Sequence, residues 1–357
     1  MRGKSLIKRF VSTALLFAVM LVFVFTAVPD LSAINASAAD SVVIVIDPGH
    51  GGVGGRNLGC QYNNLSEKEI TLQTANAMKA ELEKYDNVVV YLTRTTDVEM
   101  SLQARADYAK SVGADFMFSL HYNASTEHKF YGSEIWVQSA RSFFNQGATF
   151  ASLEIQELSA LGVYQKGYKT KLNSKGTDYY GVLRCAAADN IPCVIIEHCY
   201  IDHGSDKPFF SQANSFTNFG VADATAVAKY FHLKSETLGV DYSNYQYSNV
   251  STKSSRVADD TTAPDVCNIS TSGPDASGNV TVSLTATDKQ SLVKYYAYSL
   301  DGGATYSYLQ PFDSNLQTVS FTLKVPSGKA SSLVVQAYNQ YELFTTSNVV
   351  SLPAVKY

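Results

Sequence analysis

Tryptophan occurs once in 357 residues, and cysteine five times without a single C-x-x-C pair. An odd number of cysteines leaves at least one thiol unpaired, and this spacing is not that of a zinc knuckle. Cys193 and Cys199 share parity on one predicted strand. Cys60, Cys185, Cys193, Cys199 and Cys267 therefore read as small buried hydrophobes, with room for one disulfide. Positive charge is also scarce. The net charge is −4, and removing residues 1–39 takes away Arg2, Lys4, Lys8, Arg9 and Asp30, leaving 24 basic against 31 acidic residues. A nucleic-acid binder normally carries a basic face, so that class is disfavoured. There is no internal repeat. With 45% hydrophobic and 17% charged residues, a packed globular protein is the default.

What is present begins with a basic start, an apolar run from Phe10 to Val28, and then Ala36-Ser37-Ala38. That layout reads as a signal peptide over residues 1–39, so the mature chain is expected to be secreted, in the cell wall or outside the cell. Uncut, the run is long enough to span a membrane. After cleavage no stable membrane association is expected.

Val42 to Gly52, VVIVIDPGHGG, is the stretch around which the chain is organised. Five β-branched residues predict a buried strand, and Asp-Pro-Gly breaks it to leave His50 at the carboxyl end. Ligands bind at such ends in open α/β sheets. Ser66 to Glu69 predicts a capping box, opening a helix to about Tyr85. Strands follow at 88–93, 115–120, 135–138 and 193–197, with helices at 101–112, 150–161 and 213–231. This alternation predicts an α/β domain over 40–233, with a mostly parallel or mixed sheet flanked by helices. Residues 234–264, rich in serine, threonine and tyrosine, read as a linker. Short alternating runs and the Asp301-Gly302-Gly303 turn predict a small all-β sandwich over 265–357, immunoglobulin-like or fibronectin-like.

Strand ends and one helix start thus offer His50, Glu67, His121 and Glu197. Two histidines and a glutamate are an established ligand set for catalytic zinc. Glu197 closes a buried Val-Ile-Ile run, where an unpaired carboxylate is costly. The bland alternatives are structural histidines, Glu69 in place of Glu67, and Glu197 paired with Arg94, Arg105 or Arg184. His198 and His203 read as loop or rim residues. Lys166, Lys169, Lys171 and Lys175 read as a solvated basic face that could also meet peptide carboxylates. The linker tyrosines Tyr242, Tyr245 and Tyr247 could stack on glycan rings, though polar linker composition already accounts for them.

The residues IDPGHGG (46–52), LSEKEITL (65–72), LTR (92–94), FSLHYNA (118–124), YGSEIW (131–136), VLR (182–184) and PCVIIEHCY (192–200) occur in that order. Over about residues 42–232 the chain thereby resembles the zinc-dependent N-acetylmuramoyl-L-alanine amidases of the type-3 family. The resemblance implies zinc ligands at His50, Glu67 and His121, Glu197 as the catalytic carboxylate, and peptidoglycan as substrate. Cys199 and Tyr200 stand where the family usually has Gly-Phe. The rival readings are a zinc exopeptidase on cell-wall peptides and a non-catalytic wall-binding protein. Cell-wall contact, if any, is expected of the sandwich, and the segment Ala140 to Gly162 is a candidate for occluding the groove.

Overall fold

The computed structural model describes residues 41–357; the predicted signal peptide lies outside the described residues. The β-branched run forms β1 (Val42–Pro48), with Ile44, Val45 and Ile46 fully buried. A short hairpin, β2 (Gln61–Tyr62) and β3 (Leu65–Ser66), leads directly into α1 (Glu67–Leu82). Then come β4 (Val88–Leu92), α2 (Leu102–Ser111), β5 (Phe116–Asn123), β6 (Ser133–Val137) and α3 (Arg141–Ala160). The α/β part ends with β7 (Gln165–Lys169), α4 (Gly181–Ala188), β8 (Cys193–Tyr200), α5 (Lys207–Phe210) and α6 (Ser215–Tyr230).

Six of these strands make one sheet, ordered β4-β1-β5-β8-β6-β7. β1, β5 and β8 run parallel, whereas β6 is antiparallel to β8 and parallel to β7. The sheet is mixed. Alternate strand residues serve opposite faces. Val45, Met117, Cys193 and Ile195 pack with Ala109 of α2 and Val182 and Ala186 of α4. Phe116 and Phe118 meet Phe150 of α3 on the other face, the closer ring pair being 4.6 Å apart. Helices cover both faces, as expected.

Several local expectations change. Ser66 stands at the N-cap of α1, but its side chain makes no capping hydrogen bond. The carbonyls of Cys60 and Leu58 already accept from the Glu67 and Lys68 amides, at 3.0 and 3.1 Å, so no capping box forms. Ser101 does cap α2, accepting from Ala104 N at 3.1 Å. The segment proposed to occlude the groove is α3, a core helix that buries Phe144, Phe150, Leu153 and Leu158. All five cysteines are free thiols, so the disulfide does not form. Among the described residues, no helix is long and apolar enough to cross a membrane.

β9 (Lys234–Ser235) and β10 (Val240–Asp241) form a small hairpin. Beyond it the segment expected to be a linker runs along the α/β part. Tyr247 stacks on Tyr230 at 6.0 Å, Val250 N donates to Thr149 Oγ1 at 2.8 Å, and Val257 N donates to the Ser139 carbonyl at 2.8 Å. Eight strands follow: β11 (Val266–Thr271), β12 (Asn279–Thr287), β13 (Val293–Ser299), β14 (Gln310–Pro311), β15 (Thr318–Lys324), β16 (Ser331–Asn339), β17 (Phe344–Thr346) and β18 (Val350–Leu352). They build two antiparallel sheets, β11-β12-β15 and β14-β13-β16-β17, with β18 paired to β16. Val280, Val282 and Leu284 from one sheet meet Leu333, Val335 and Ala337 from the other in a shared apolar core.

Candidate metal centre and its groove

The turn after β1 is held from behind by two buried arginines. Arg105 donates to the carbonyls of Pro48 at 2.9 Å and His50 at 2.6 Å. Arg94 donates to those of Pro48 at 3.0 Å and Gly49 at 2.9 Å. Arg105 also pairs with buried Asp47 at 2.6 Å, and Thr93 and Ser119 hydroxyls donate to the same carboxylate. Burial alone would raise the Asp47 pKa, but the Arg105 charge and these hydrogen bonds hold it below the usual range. So clamped, His50 adopts φ +63°, a left-handed conformation uncommon for any residue but glycine.

Glu67, the first residue of α1, stands between the two histidines. Its Oε2 lies 3.1 Å from His50 Nε2 and its Oε1 lies 2.9 Å from His121 Nδ1. Glu67 also accepts from the amides of Cys60 at 2.8 Å and Tyr122 at 3.1 Å. Burial opposes its ionisation, yet the hydrogen bonds and charges of His121 and His50 hold its pKa far below normal. The close packing needs glycine. A Cβ on Gly49 would lie 2.4 Å from the His121 ring, and one on Gly59 would lie 2.4 Å from Glu67 Oε2. The other ring nitrogen of His50 faces Asn57 Oδ1 at 3.0 Å, which fixes the ring's orientation.

His50, Glu67 and His121 thus offer one ligand atom each, all within 4.8 Å of one another, and could hold a metal ion. Both histidines are partly exposed and Glu67 is buried, so protein surrounds the cluster on one side and leaves the other open. The donor set and the open side suit a catalytic rather than a structural ion. His121 lies inside β5 rather than just beyond it, and Glu197 is its register partner on β8.

Glu197 is likewise within a strand, with Glu134 of β6 opposite it on the other side. Its Oε2 is buried and has no hydrogen-bond partner among the described residues. Burial and the charges of Glu67 and Glu134 push its pKa well up, against the pull of Lys166 and Lys169. None of the three arginines weighed as its partner reaches it in that role: Arg94 and Arg105 hold the β1 turn, and Arg184 donates to the carbonyls of Asp178 and Tyr179. A cavity of about 780 Å³ opens beside it, with Asn123, Trp136 and Tyr180 among its lining.

A model of the N-acetylmuramoyl-L-alanine amidase family matches residues 44–229, just over half of the chain. The chain belongs to this family. It is 32% identical over 197 residues to the N-acetylmuramoyl-L-alanine amidase CwlM of Bacillus licheniformis, covering 54% of this chain and 70% of that protein. To the sporulation-specific N-acetylmuramoyl-L-alanine amidase of Bacillus subtilis it is 32% identical over 194 residues, 54% of this chain and 69% of the relative. Among solved structures it is similar to Cwp6 from Clostridium difficile, with 31% identity, a TM-score of 0.48, and coverage of 54% of this chain and 30% of that one.

Some residues around this family's site are not where the sequence suggested. Lys166 and Lys169 are buried, not solvated, and pair with Glu134 Oε2 at 2.6 and 2.9 Å. The two ammonium charges overcome burial and hold the Glu134 pKa down at about 2. His198 is no rim residue. Fully buried, it bonds the His121 carbonyl at 2.9 Å through one ring nitrogen and the Asp223 carboxylate at 3.1 Å through the other. His203 does lie in the loop after β8, as expected, but is buried there against Tyr131, their rings 5.0 Å apart. Sequence alone assigns Glu134 no role, although an acid next to the buried Ile-Trp-Val of β6 is itself a signal that a partner must be near.

Proposed function

We propose that the protein is a secreted, zinc-dependent N-acetylmuramoyl-L-alanine amidase that cleaves the amide between N-acetylmuramic acid and L-alanine in peptidoglycan. One observation carries the reading. The ligand atoms of His50, Glu67 and His121 converge within 4.8 Å, with the unpartnered Glu197 carboxylate on the adjoining strand, in a chain of this family. His50, Glu67 and His121 are the residues that would hold the ion. Zinc there would polarise the scissile carbonyl and acidify a bound water. Glu197 accepts a proton from the attacking water and returns it to the leaving amine nitrogen. Its buried, unpartnered Oε2 is the atom that takes the proton. Secretion rests on the signal-like layout of residues 1–39.

The rival reading, a zinc exopeptidase on cell-wall peptides, differs in the bond that is cut. The test is digestion of purified peptidoglycan by residues 40–357 with zinc, beside Glu197→Ala and a chelated sample. Free stem peptides beginning with L-alanine, found only with the intact, metal-loaded chain, are expected. Cuts within the peptide would sink the assignment.

A further inference from the structure

The sandwich does not stand apart from the groove. Tyr131 of the α/β part shares a buried cluster with Tyr295, Leu309 and Tyr338 of the sandwich, and the Tyr295 hydroxyl donates to the Tyr131 carbonyl. The turn between β16 and β17 then reaches over the edge strand β7. Gln340 accepts from Lys169 Nζ at 2.9 Å through its carbonyl and donates to the Tyr168 carbonyl at 2.6 Å through its side chain. The Tyr341 hydroxyl accepts from Thr170 N at 3.3 Å. Glu342 is placed with particular consequence. Its Oε1 lies 2.5 Å from Lys166 Nζ and accepts from the Tyr200 hydroxyl at 2.8 Å. Lys166 is the same ammonium that holds Glu134, and Glu134 is the strand partner of Glu197.

The cavity beside Glu197 has two sides of different origin. Trp136, Tyr180 and Glu197 come from the α/β part, whereas Tyr338, Glu342 and Phe344 come from the sandwich. Phe344 is half-exposed, and its ring lies 5.2 Å from that of Tyr338. Lys129 completes this rim, its Nζ 4.2 Å above the Tyr338 ring. A half-exposed aromatic ring on the rim of a groove suits a substrate with apolar C–H surface to lay against it, as sugar rings and peptide side chains have.

From this geometry we infer that the β16–β17 hairpin is the second wall of the catalytic groove, with Phe344 a substrate-contact residue and Glu342 a positioning residue for the Lys166–Glu134 pair beside Glu197. The sandwich is then part of the active site and not only a wall anchor or spacer. The inference rests on the amidase reading.

Steady-state kinetics on a soluble muropeptide, with the zinc-loaded 40–357 chain, separate the two roles. Phe344→Ala raises KM severalfold and leaves kcat near that of the unaltered chain, since the ring contributes binding at a distance from the bond cut. Glu342→Gln lowers kcat roughly tenfold at constant KM, the low end of what losing a supporting residue costs. Zinc content stays close to that of the parent in both, as does the thermal midpoint of Phe344→Ala; Glu342→Gln, which loses a charge beside buried Lys166, melts lower and is assayed well below its own midpoint. Tyr308→Ala, an 85% exposed residue of the same sandwich, changes neither parameter. If both variants match the parent while the parent releases stem peptides, the groove-wall assignment is overturned and the amidase reading stands. A proportional loss in all three variants also overturns it, because that reports destabilisation of the sandwich. A parent chain that releases no stem peptide removes the amidase reading, and the wall assignment with it.

Discussion

Glu197 and Asp206 are both carboxyls that burial drives toward the protonated form, with different consequences. For Glu197 the buried, unpartnered oxygen belongs to the proposed chemistry. Glu197→Gln keeps the shape and removes the base, so the amidase rate is expected to fall 10²- to 10⁴-fold, the usual worth of a positioned general base. Zinc stoichiometry, read by atomic absorption, should remain at one per chain, because Glu197 is outside the ligand set. Loss of the metal along with the rate would give Glu197 a ligand's role. Asp206 accepts from the amides of Gly132 at 2.7 Å and Tyr200 at 2.8 Å. Burial nevertheless raises its pKa from 3.8 to about 6. Between those values the folded state binds more protons than the unfolded state, so the stability this group contributes declines as pH rises through 6. Asp206→Asn should flatten that decline. Urea midpoints at pH 5 and pH 7 for parent and variant are the check, and equal slopes would refute it.

At the level of elements, the turn after β1 shows what the sequence displays and what it hides. A β-branched run ending in Asp-Pro-Gly locates His50 correctly, because both signals are local in the chain. The clamp behind it is not local: Arg105 lies 58 residues beyond Asp47 and sits on α2, whose apolar spacing says only that the helix packs. The same holds for Glu134, Lys166 and Lys169, which two separate strands, β6 and β7, bring to one point. Charge runs are usually solvated, and the fold reverses that reading by packing the sandwich turn at Gln340 and Glu342 on β7. The clamp also has an energetic signature. Arg105→Ala strands the buried Asp47 carboxylate and releases two turn carbonyls, at an expected cost of about 3–5 kcal/mol. Urea unfolding should register it as a lower midpoint at unchanged m. The Asp47 contribution is fully present above its unfolded pKa of 3.8 and is lost as pH falls through its lower folded value. The gap between parent and Arg105→Ala should therefore narrow in acid; a gap constant down to pH 2 would show that the ion pair is not its source.

Across the whole molecule, composition alone suggests an enzyme, a tether and a separate module. Polar residues without hydrophobic period do read as linker, since such a pattern reports the lack of a core-facing stripe and nothing more. In the fold, residues 250–257 hold to the α/β part through individual hydrogen bonds, which need no apolar stripe. Arg141 N donates to the Ser255 carbonyl at 2.9 Å, Val257 N donates to Ser139 O at 2.8 Å, and Arg256 Nη1 donates to Ser139 Oγ at 2.5 Å. Tyr131, Tyr295 and Tyr338 bury their rings between the two parts a short distance beyond. Limited trypsinolysis distinguishes a free tether from a bound strap, because Lys253 and Arg256 both lie in the segment. Proteases cut backbone that can open locally, and a strand held by its own amides opens only at a free-energy cost. Cleavage after Arg256 is therefore expected to be slow in native buffer and to accelerate with urea in step with the loss of tertiary signal. Lys253 should resist less, since Thr252 N is held only by Asn145 Oδ1 at 3.0 Å. Rapid native cutting at both sites into two persistent fragments would instead mean that the strap detaches readily, and that the sandwich remains folded without its contacts to the groove.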